Sequence, residues 1–343
     1  MRNTLLVALL AFVACGRAEP PAAWSIASPY EGVDWARTGR HRACFHSHTT
    51  ETDGKLRPHE VVDAYHRIGT TVLAITDHNA RTDPWTAFAE RRSAYESRDP
   101  AALGMIAVPG NELSHHDHTV ALWSDDGGDR TGLSRILAPL AVEASLRAIA
   151  EDGGLAILAH PGRYRRGVEW HASLFRKHPV LVGMEIYNQG DRYPEDRDRW
   201  DAILTALGPD RPVWGHSADD MHVTAHVGRN WNLLLLPELS EEWVRRALES
   251  GRFLWVYAPG GPSGPSPPTI EAIRVDADTG TIEIDATGHH RIDWISNGSI
   301  VAHGPRLQLA AVRRLGHYVR AVLHGAEGSQ TGTQPFGLSR REE

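Results

Sequence analysis

His46 and His48 stand two residues apart in C-F-H-S-H-T-T-E-T-D-G (residues 44–54), and Asp53 follows in the T-D-G turn. On an extended segment such a pair points to one face. Two imidazole nitrogens with a carboxylate nearby have the chemistry of a metal clamp. The same ingredients recur along the chain: Asp77 and His78 in L-A-I-T-D-H-N, Glu112 in A-V-P-G-N-E-L-S and His118 in D-H-T-V-A-L-W. His160 follows in L-A-I-L-A-H-P-G, and Asp220 and His222 in A-D-D-M-H, again two apart. Nitrogen and carboxylate donors without thiolate suit Zn²⁺, Mn²⁺ or Fe rather than Ca²⁺ or Mg²⁺ alone. Nine candidate ligands (His46, His48, Asp53, His78, Glu112, His118, His160, Asp220, His222) exceed the needs of one ion. Two or three divalent ions sharing a bridging carboxylate would use them all and leave positions for water.

These residues need elements to bring them together. Pro58–Ile68 places Val61, Tyr65 and Ile68 on one helical face, with Pro at its entry and Gly69 at its exit. T-V-L-A-I-T after it reads as a strand buried on both faces. The alternation continues. Strands are predicted at 105–108, 155–159, 181–187, 212–214 and 231–236, with helices near 134–152, 195–207 and 240–250. Repeated β-then-α units predict an α/β fold with a parallel sheet, open or closed into a barrel. Nearly every candidate ligand falls at the end of one of these strands, where parallel α/β folds build their sites. A single histidine there is ordinarily a hydrogen-bonded bystander. Five or six of seven strand ends carrying His, Asp or Glu have no core-packing explanation, because buried charges cost several kcal/mol unless paired or metal-bound.

The chain has 343 residues, 41% of them hydrophobic and 23% charged, enough for a sizeable core. A formal net charge of −7 argues against long nucleic acid as a partner. Twenty His against two Cys is the unusual count. Met1-Arg2-Asn3 followed by the apolar run Thr4–Ala14 reads as a signal peptide. Its end, F-V-A-C, places Cys15 like the lipid-attachment residue of a bacterial lipoprotein, which leaves Cys44 a free thiol. The expected organisation is a signal peptide (1–15), a linker (16–40), a barrel (41–258), a small β-rich domain (259–325) and a tail to 343. Location is expected to be exported, in the periplasm or cell envelope, with membrane contact only through the lipid.

In order, H-S-H-T-T-E-T-D-G, A-I-T-D-H-N, P-G-N-E-L-S, the His before V-A-L, A-H-P-G-R and A-D-D-M-H resemble the successive motifs of the PHP (polymerase and histidinol phosphatase) family. The resemblance covers residues 42–222. It implies a distorted (β/α)7 TIM-like barrel; the small C-terminal all-β domain is expected separately, from alternating segments such as T-I-E-I-D-A joined by tight turns after residue 258. Carried over, it puts one ion on His46, His48, Glu112 and Asp220, with Glu112 bridging to a second on His118 and His160. A third would sit on Asp53, His78 and His222. In H-H-D-H, His115 and His116 compete with His118, which is favoured because it directly precedes a strand.

The implied reaction is metal-dependent phosphoester hydrolysis by a hydroxide held between two ions, on a small phosphorylated substrate, including nucleotide or oligonucleotide ends. His222, His216 or His226 would assist the leaving oxygen. Asp77 and Asp219, each adjacent to a ligand, would orient imidazoles. Arg163, Arg165 and Arg166 in G-R-Y-R-R are phosphate-clamp candidates, Arg163 first, against the bland reading of a solvated loop. Glu185 and Asn188 contact substrate or buttress the barrel. Trp123, Trp214 and Trp231 stack a ring or pack the core. Two other functions compete: a hydrolase of esters, carbamates or amides using the same ions, and a non-catalytic metal- or ligand-binding envelope protein.

Overall fold

The computed structural model describes residues 24–82, 97–115, 117–124 and 138–340. The N-terminal apolar run, Cys15 and His116 lie outside them. Among the described residues no helix is long and apolar enough to cross a membrane.

The chain enters through β1 (Trp24–Ala27) and β2 (Gly39–Cys44), then α1 (Pro58–Arg67), β3 (Thr70–Ile75) and the short α2 (Pro100–Leu103). Next come β4 (Ile106–Leu113), β5 (Thr119–Leu122), α3 (Ala138–Glu151), β6 (Leu155–Leu158), α4 (Val168–Lys177) and β7 (Leu181–Asn188). Helix α5 (Glu195–Leu207), β8 (Trp214–Ala218), β9 (Asn230–Leu236), α6 (Glu241–Ser250) and β10 (Phe253–Tyr257) complete the first part. Helix α1 forms where predicted: Pro58 opens it, Glu60 accepts from the Arg57 amide at its start, and Val61 and Tyr65 are buried. Helix α6 starts on the Ser240 cap and stops at Gly251, whose φ of 71° suits glycine.

The architecture is mixed α/β around one 15-stranded sheet. Strands β2–β3–β4 and β6–β7–β8 run parallel within their groups. Strand β5 joins the two groups antiparallel to both β4 and β6, and β9 runs antiparallel to β2. The sheet is thus not wholly parallel, and among the described residues no backbone ladder closes it. Between β8 and β9 the link is a side chain: the Asn232 carboxamide accepts from the Ser217 amide and donates to the Ser217 carbonyl, both at 3.1 Å. One face packs around Phe45, Val72, Val120, Ile157 and Phe253, while α1 covers the other face through Val61, Val62 and Tyr65 against Leu73 and Ile75.

Strand β4 is longer than predicted. Pro109 and Gly110 read as a stop, yet the strand runs through them to Leu113. Pro109 accepts from the Trp123 amide through its carbonyl, and a side chain at 110 would strike the Ala121 carbonyl. This extension carries Glu112 inside the strand.

The remaining strands are β11 (Thr269–Asp276), β12 (Thr281–Thr287), β13 (Arg291–Ser296), β14 (Ser299–His303), β15 (Arg306–Gln308), β16 (Tyr318–His324), β17 (Gln330–Gly332) and β18 (Phe336–Arg340). Strands β11, β12 and β15 form a separate three-stranded sheet. Strands β13, β14, β16, β17 and β18 instead continue the large sheet, since β17 pairs with β10. Two differences from the sequence reading follow. Residues 24–27, expected in a linker, form β1 and pair with β18, which was expected in the tail. Phe336 and Leu338 are buried there, and alternating Trp24 and Ile26 pack on the same cluster. Across the join, Arg320 on β16 grips Asp201 on α5 through two hydrogen bonds of 2.8 and 2.6 Å.

Candidate metal centre

All nine predicted ligands converge at one end of the sheet. His46 and His48 follow β2, His78 follows β3, Glu112 lies near the end of β4 and His118 directly precedes β5. His160 follows β6, and Asp220 and His222 follow β8. Backbone pairing continues past the strands: Ser47 bridges Met221, His78 bridges Glu112, and the His48 amide donates to the Met221 carbonyl at 2.8 Å. Left-handed backbone marks the same end, with φ of 50° at Asn79, 29° at His160, 45° at Gln189 and 43° at Asp220. Such conformations cost about 1–3 kcal/mol each outside glycine and cluster where function requires them.

Glu112 is the hub. Its Oε1 lies 2.7 Å from His118 Nδ1, 3.0 Å from His160 Nε2 and 3.3 Å from His46 Nε2. Its Oε2 lies 2.9 Å from His78 Nδ1 and 3.4 Å from His48 Nε2. Asp220 Oδ1 closes the other side, 3.1 Å from His48 Nε2 and 3.3 Å from His46 Nε2. The outer edge is looser: Asp53, 54% exposed, stands 3.3 Å from His222, 3.6 Å from His78 and 3.8 Å from His48. His48 thus turns one ring nitrogen to Glu112 and Asp220 and the other to Asp53. Four groups offer three or four donor atoms within 4.8 Å of one another: His48/Asp53/His78/His222, His46/His48/Glu112, His46/His160/Asp220 and His78/Glu112/His118. Every predicted ligand belongs to at least one group. His118 is in one, and His115 is in none.

Electrostatics suits cations here. Burial alone would raise the Glu112 carboxyl, but the His46 charge and hydrogen bonds from His118 and His160 outweigh it and hold it well below the usual range. Burial opposes a charged His46, yet Glu112, Glu185 and Asp220 push its pKa well above 6.5. His160 and His78 shift upward against their burial through Glu112, whereas burial lowers His118. Protons hold the carboxylates and imidazoles together, and metal ions would replace them. The buried His48 Nδ1, His160 Nδ1, Glu112 Oε2 and Asp220 Oδ1 also lack a well-aligned hydrogen-bond partner. Donor types, crowding and these orphaned atoms fit divalent metal ions.

The predicted supporting carboxylates need correction. Asp219 orients no imidazole. It accepts from the amides of Gly228, Arg229 and Asn230 and from the Tyr65 hydroxyl, and burial raises its pKa to about 6. Asp77 likewise serves the turn after β2, accepting from the Thr49 amide and the Thr49 and Thr52 hydroxyls. Adjacency to a ligand in sequence sends the neighbour's side chain elsewhere. The orienting carboxylate is Glu185, 2.6 Å from His46 Nδ1, which also accepts from the His160 amide and Asn188 at 2.8 Å. Replacing Glu185 by Gln is expected to lower metal affinity or turnover about 10–100-fold. Metal titration checks this, and unchanged affinity and turnover would refute the role.

His216 does not reach the centre: it is buried against Phe45 and Phe253, and burial lowers its pKa to about 3. His226 accepts from the His222 amide at 3.3 Å. Arg166 is committed to Asp117 at 2.8 Å. Arg163 is exposed, next to the centre, and its charge helps lower the His118 pKa. The tryptophans stay away: Trp123 donates to Glu241, Trp214 to the Glu249 carbonyl, and Trp231 carries Arg42 at 3.7 Å. Sequence reasoning missed Gln189, whose carboxamide donates to the Asp220 carbonyl at 3.0 Å, and Arg192, which donates to Gln189 at 2.9 Å. One signal was present: G-R-Y after β6 and D-R-Y after β7 repeat an Arg-Tyr pair.

No family model and no curated protein matches the chain. Solved structures do. A two-domain protein from Bacteroides vulgatus ATCC 8482, described as containing a predicted PHP-like metal-dependent phosphoesterase, is 14% identical over 92% of this chain and 91% of its own, with TM-score 0.47. An amidohydrolase from Chromobacterium violaceum, solved with sulfate and no metal, is 20% identical over 53% and 87%, with TM-score 0.38. A candidate metal-dependent phosphoesterase from Bifidobacterium adolescentis ATCC 15703 is 20% identical over 61% and 96%, with TM-score 0.39. Likenesses this distant leave the chemistry to be argued from the centre itself.

Proposed function

We propose that the chain is a metal-dependent hydrolase of the PHP type, cleaving phosphate esters of small molecules, with its strands arranged as a distorted barrel. The observation that carries the reading is the gathering of all nine ligands into one cluster, five of its imidazoles within 3.4 Å of Glu112, with Arg163 exposed beside them. The Asn232–Ser217 link between β8 and β9 supports the barrel.

When bound, divalent ions supply Lewis acidity to a phosphoryl oxygen and bring the pKa of water toward neutrality. His46, His48, Glu112 and Asp220 would hold one ion, with Glu112, His118 and His160 holding another. The outer set Asp53, His78 and His222 is the more exposed and would hold a third. Glu185 fixes the His46 tautomer through Nδ1, leaving Nε2 to the centre. Arg163, on the loop immediately after His160, would bind the phosphoryl oxygens, and its exposure leaves the guanidinium available to them. His222, half-buried at the rim, turns Nε2 to Asp53 at 3.3 Å and Nδ1 to the Asp220 carbonyl at 2.8 Å, so its role is that of a ligand in the outer set.

The test is a panel of phosphomonoesters, phosphodiesters and carboxyl esters with the metal-loaded protein. Turnover of phosphate esters is expected. Turnover of carboxyl esters alone would overturn the reading. Arg163→Gln is expected to reduce kcat/KM for phosphate esters by about 10–100-fold, the loss of one charge-assisted bond, mostly through KM. An unchanged KM would return Arg163 to the solvent.

A further inference from the structure

The rim beside His160 is built twice. Arg163 lies over the Tyr164 ring at 6.0 Å, and that ring is 6.2 Å from the His160 ring and 5.8 Å from His118. Arg192 lies over the Tyr193 ring at 5.3 Å, and that ring is 6.0 Å from His160. The first pair follows β6 and the second follows β7. Two guanidinium groups therefore stand near one ligand, each on a tyrosine whose ring lies within 6.2 Å of it.

Arg192 is an exposed arginine that folds back toward the centre. Its guanidinium donates to Gln189 Oε1 at 2.9 Å. The same carboxamide donates through Nε2 to the Asp220 carbonyl at 3.0 Å and lies 3.3 Å from Asp220 Oδ2 and His222 Nδ1. One carboxamide thus separates Arg192 from two of the ligands. Gln189 holds this position in a left-handed conformation, φ 45°, a strain that the surrounding bonds sustain. The acids that would otherwise attract Arg192 are placed elsewhere. Asp191 is held by Arg197 through two bonds of 2.7 and 3.0 Å, and Glu195 lies against Gly162. Among the described residues, Gln189 is the hydrogen-bond partner of Arg192 and no carboxylate pairs with it.

We propose that Arg192 seats a second anionic group of the substrate, so that the centre selects phosphate esters carrying another carboxylate or phosphate over singly charged ones. The proposal rests on the phosphoesterase reading. Arg163 takes the phosphoryl group under attack, and Arg192, fixed by Gln189 beside Asp220 and His222, takes the remote charge. Its planar fork binds either anion through two parallel bonds. Gln189 is a positioning residue that sets where the fork points.

Binding and turnover are measured separately on the full chain loaded with Mn²⁺. Calorimetry compares 3-phosphonopropionate, 4-phosphonobutyrate and 5-phosphonopentanoate with alkylphosphonates of matched length. At least one carboxylated ligand is expected to bind about tenfold tighter than its match, and Arg192→Gln to cut that preference below about threefold. Gln189→Ala is expected to reduce the preference partially. Arg163→Gln should weaken both members of each pair alike and leave their ratio standing. A ratio near one for every wild-type pair, or a ratio that survives Arg192→Gln, would overturn the seat. Phosphate release from phenyl phosphate is followed in parallel. Turnover without the binding preference would remove the seat and leave the phosphoesterase reading, and preference without turnover would do the reverse.

Discussion

Replacing Glu112 by Gln is expected to abolish turnover, on the order of a thousandfold or more, and to reduce bound metal. The substitution keeps shape and removes one charge. That charge faces five imidazoles, those of His46, His48, His78, His118 and His160, within 3.4 Å. Divalent ions contribute several kcal/mol of charge stabilisation in the transition state, and each 1.4 kcal/mol is about tenfold in rate. A carboxamide oxygen still coordinates weakly but neutralises nothing, so ions sharing Glu112 would be the first lost. Metal content and phosphate release read this together. A variant that keeps both its metal and its rate would show that Glu112 is not the bridge.

The second large effect concerns stability. Arg320→Met is expected to cost about 3–5 kcal/mol, because it leaves the Asp201 carboxylate buried without its cation. Asp201 Oδ1 would retain only the Tyr318 hydroxyl at 2.7 Å, and Arg320 would also leave the Trp200 ring it covers at 4.8 Å. A melting temperature lower by roughly 4–7 °C follows for a chain of this size. Replacing both partners with apolar residues of similar volume should recover much of the loss, since no orphaned charge remains. A single variant melting within about 1 °C of the wild type would contradict this. The pair joins α5 to β16, so the loss would be felt on both sides of the proposed boundary near residue 258.

What the sequence made legible was chemistry set against local periodicity. Histidines and carboxylates falling at successive strand ends marked one site, because isolated buried charges are too costly to recur by accident. Helix α1 was readable from its apolar spacing and its end residues, and α5 and α6 from their place in the strand–helix alternation. Pairing between distant strands was not. Trp24–Ala27 pairs with a strand more than three hundred residues away, and nothing local announces such a partner. Strand β4 runs past the predicted 105–108 through Pro109-Gly110, and pairing of residues 110–113 with the neighbouring β5 explains why it continues. Side-chain direction was the other gap. Asp77 and Asp219 adjoin ligands in sequence but turn to backbone amides and hydroxyls, while Glu185, noted only as a strand-end carboxylate, crosses to His46. The Gln189–Arg192 bridge rests on a left-handed residue that composition does not reveal.

The most direct measurement follows metal content and phosphate-ester hydrolysis on one sample. The protein is stripped with chelator, then titrated with Mn²⁺ or Zn²⁺ while bound metal and phosphate release are read together. The centre described here predicts at least two ions per chain, no hydrolysis in the stripped protein, and activity that rises with loading. Full hydrolysis without metal, or a loaded centre that leaves every phosphate ester intact, would contradict it.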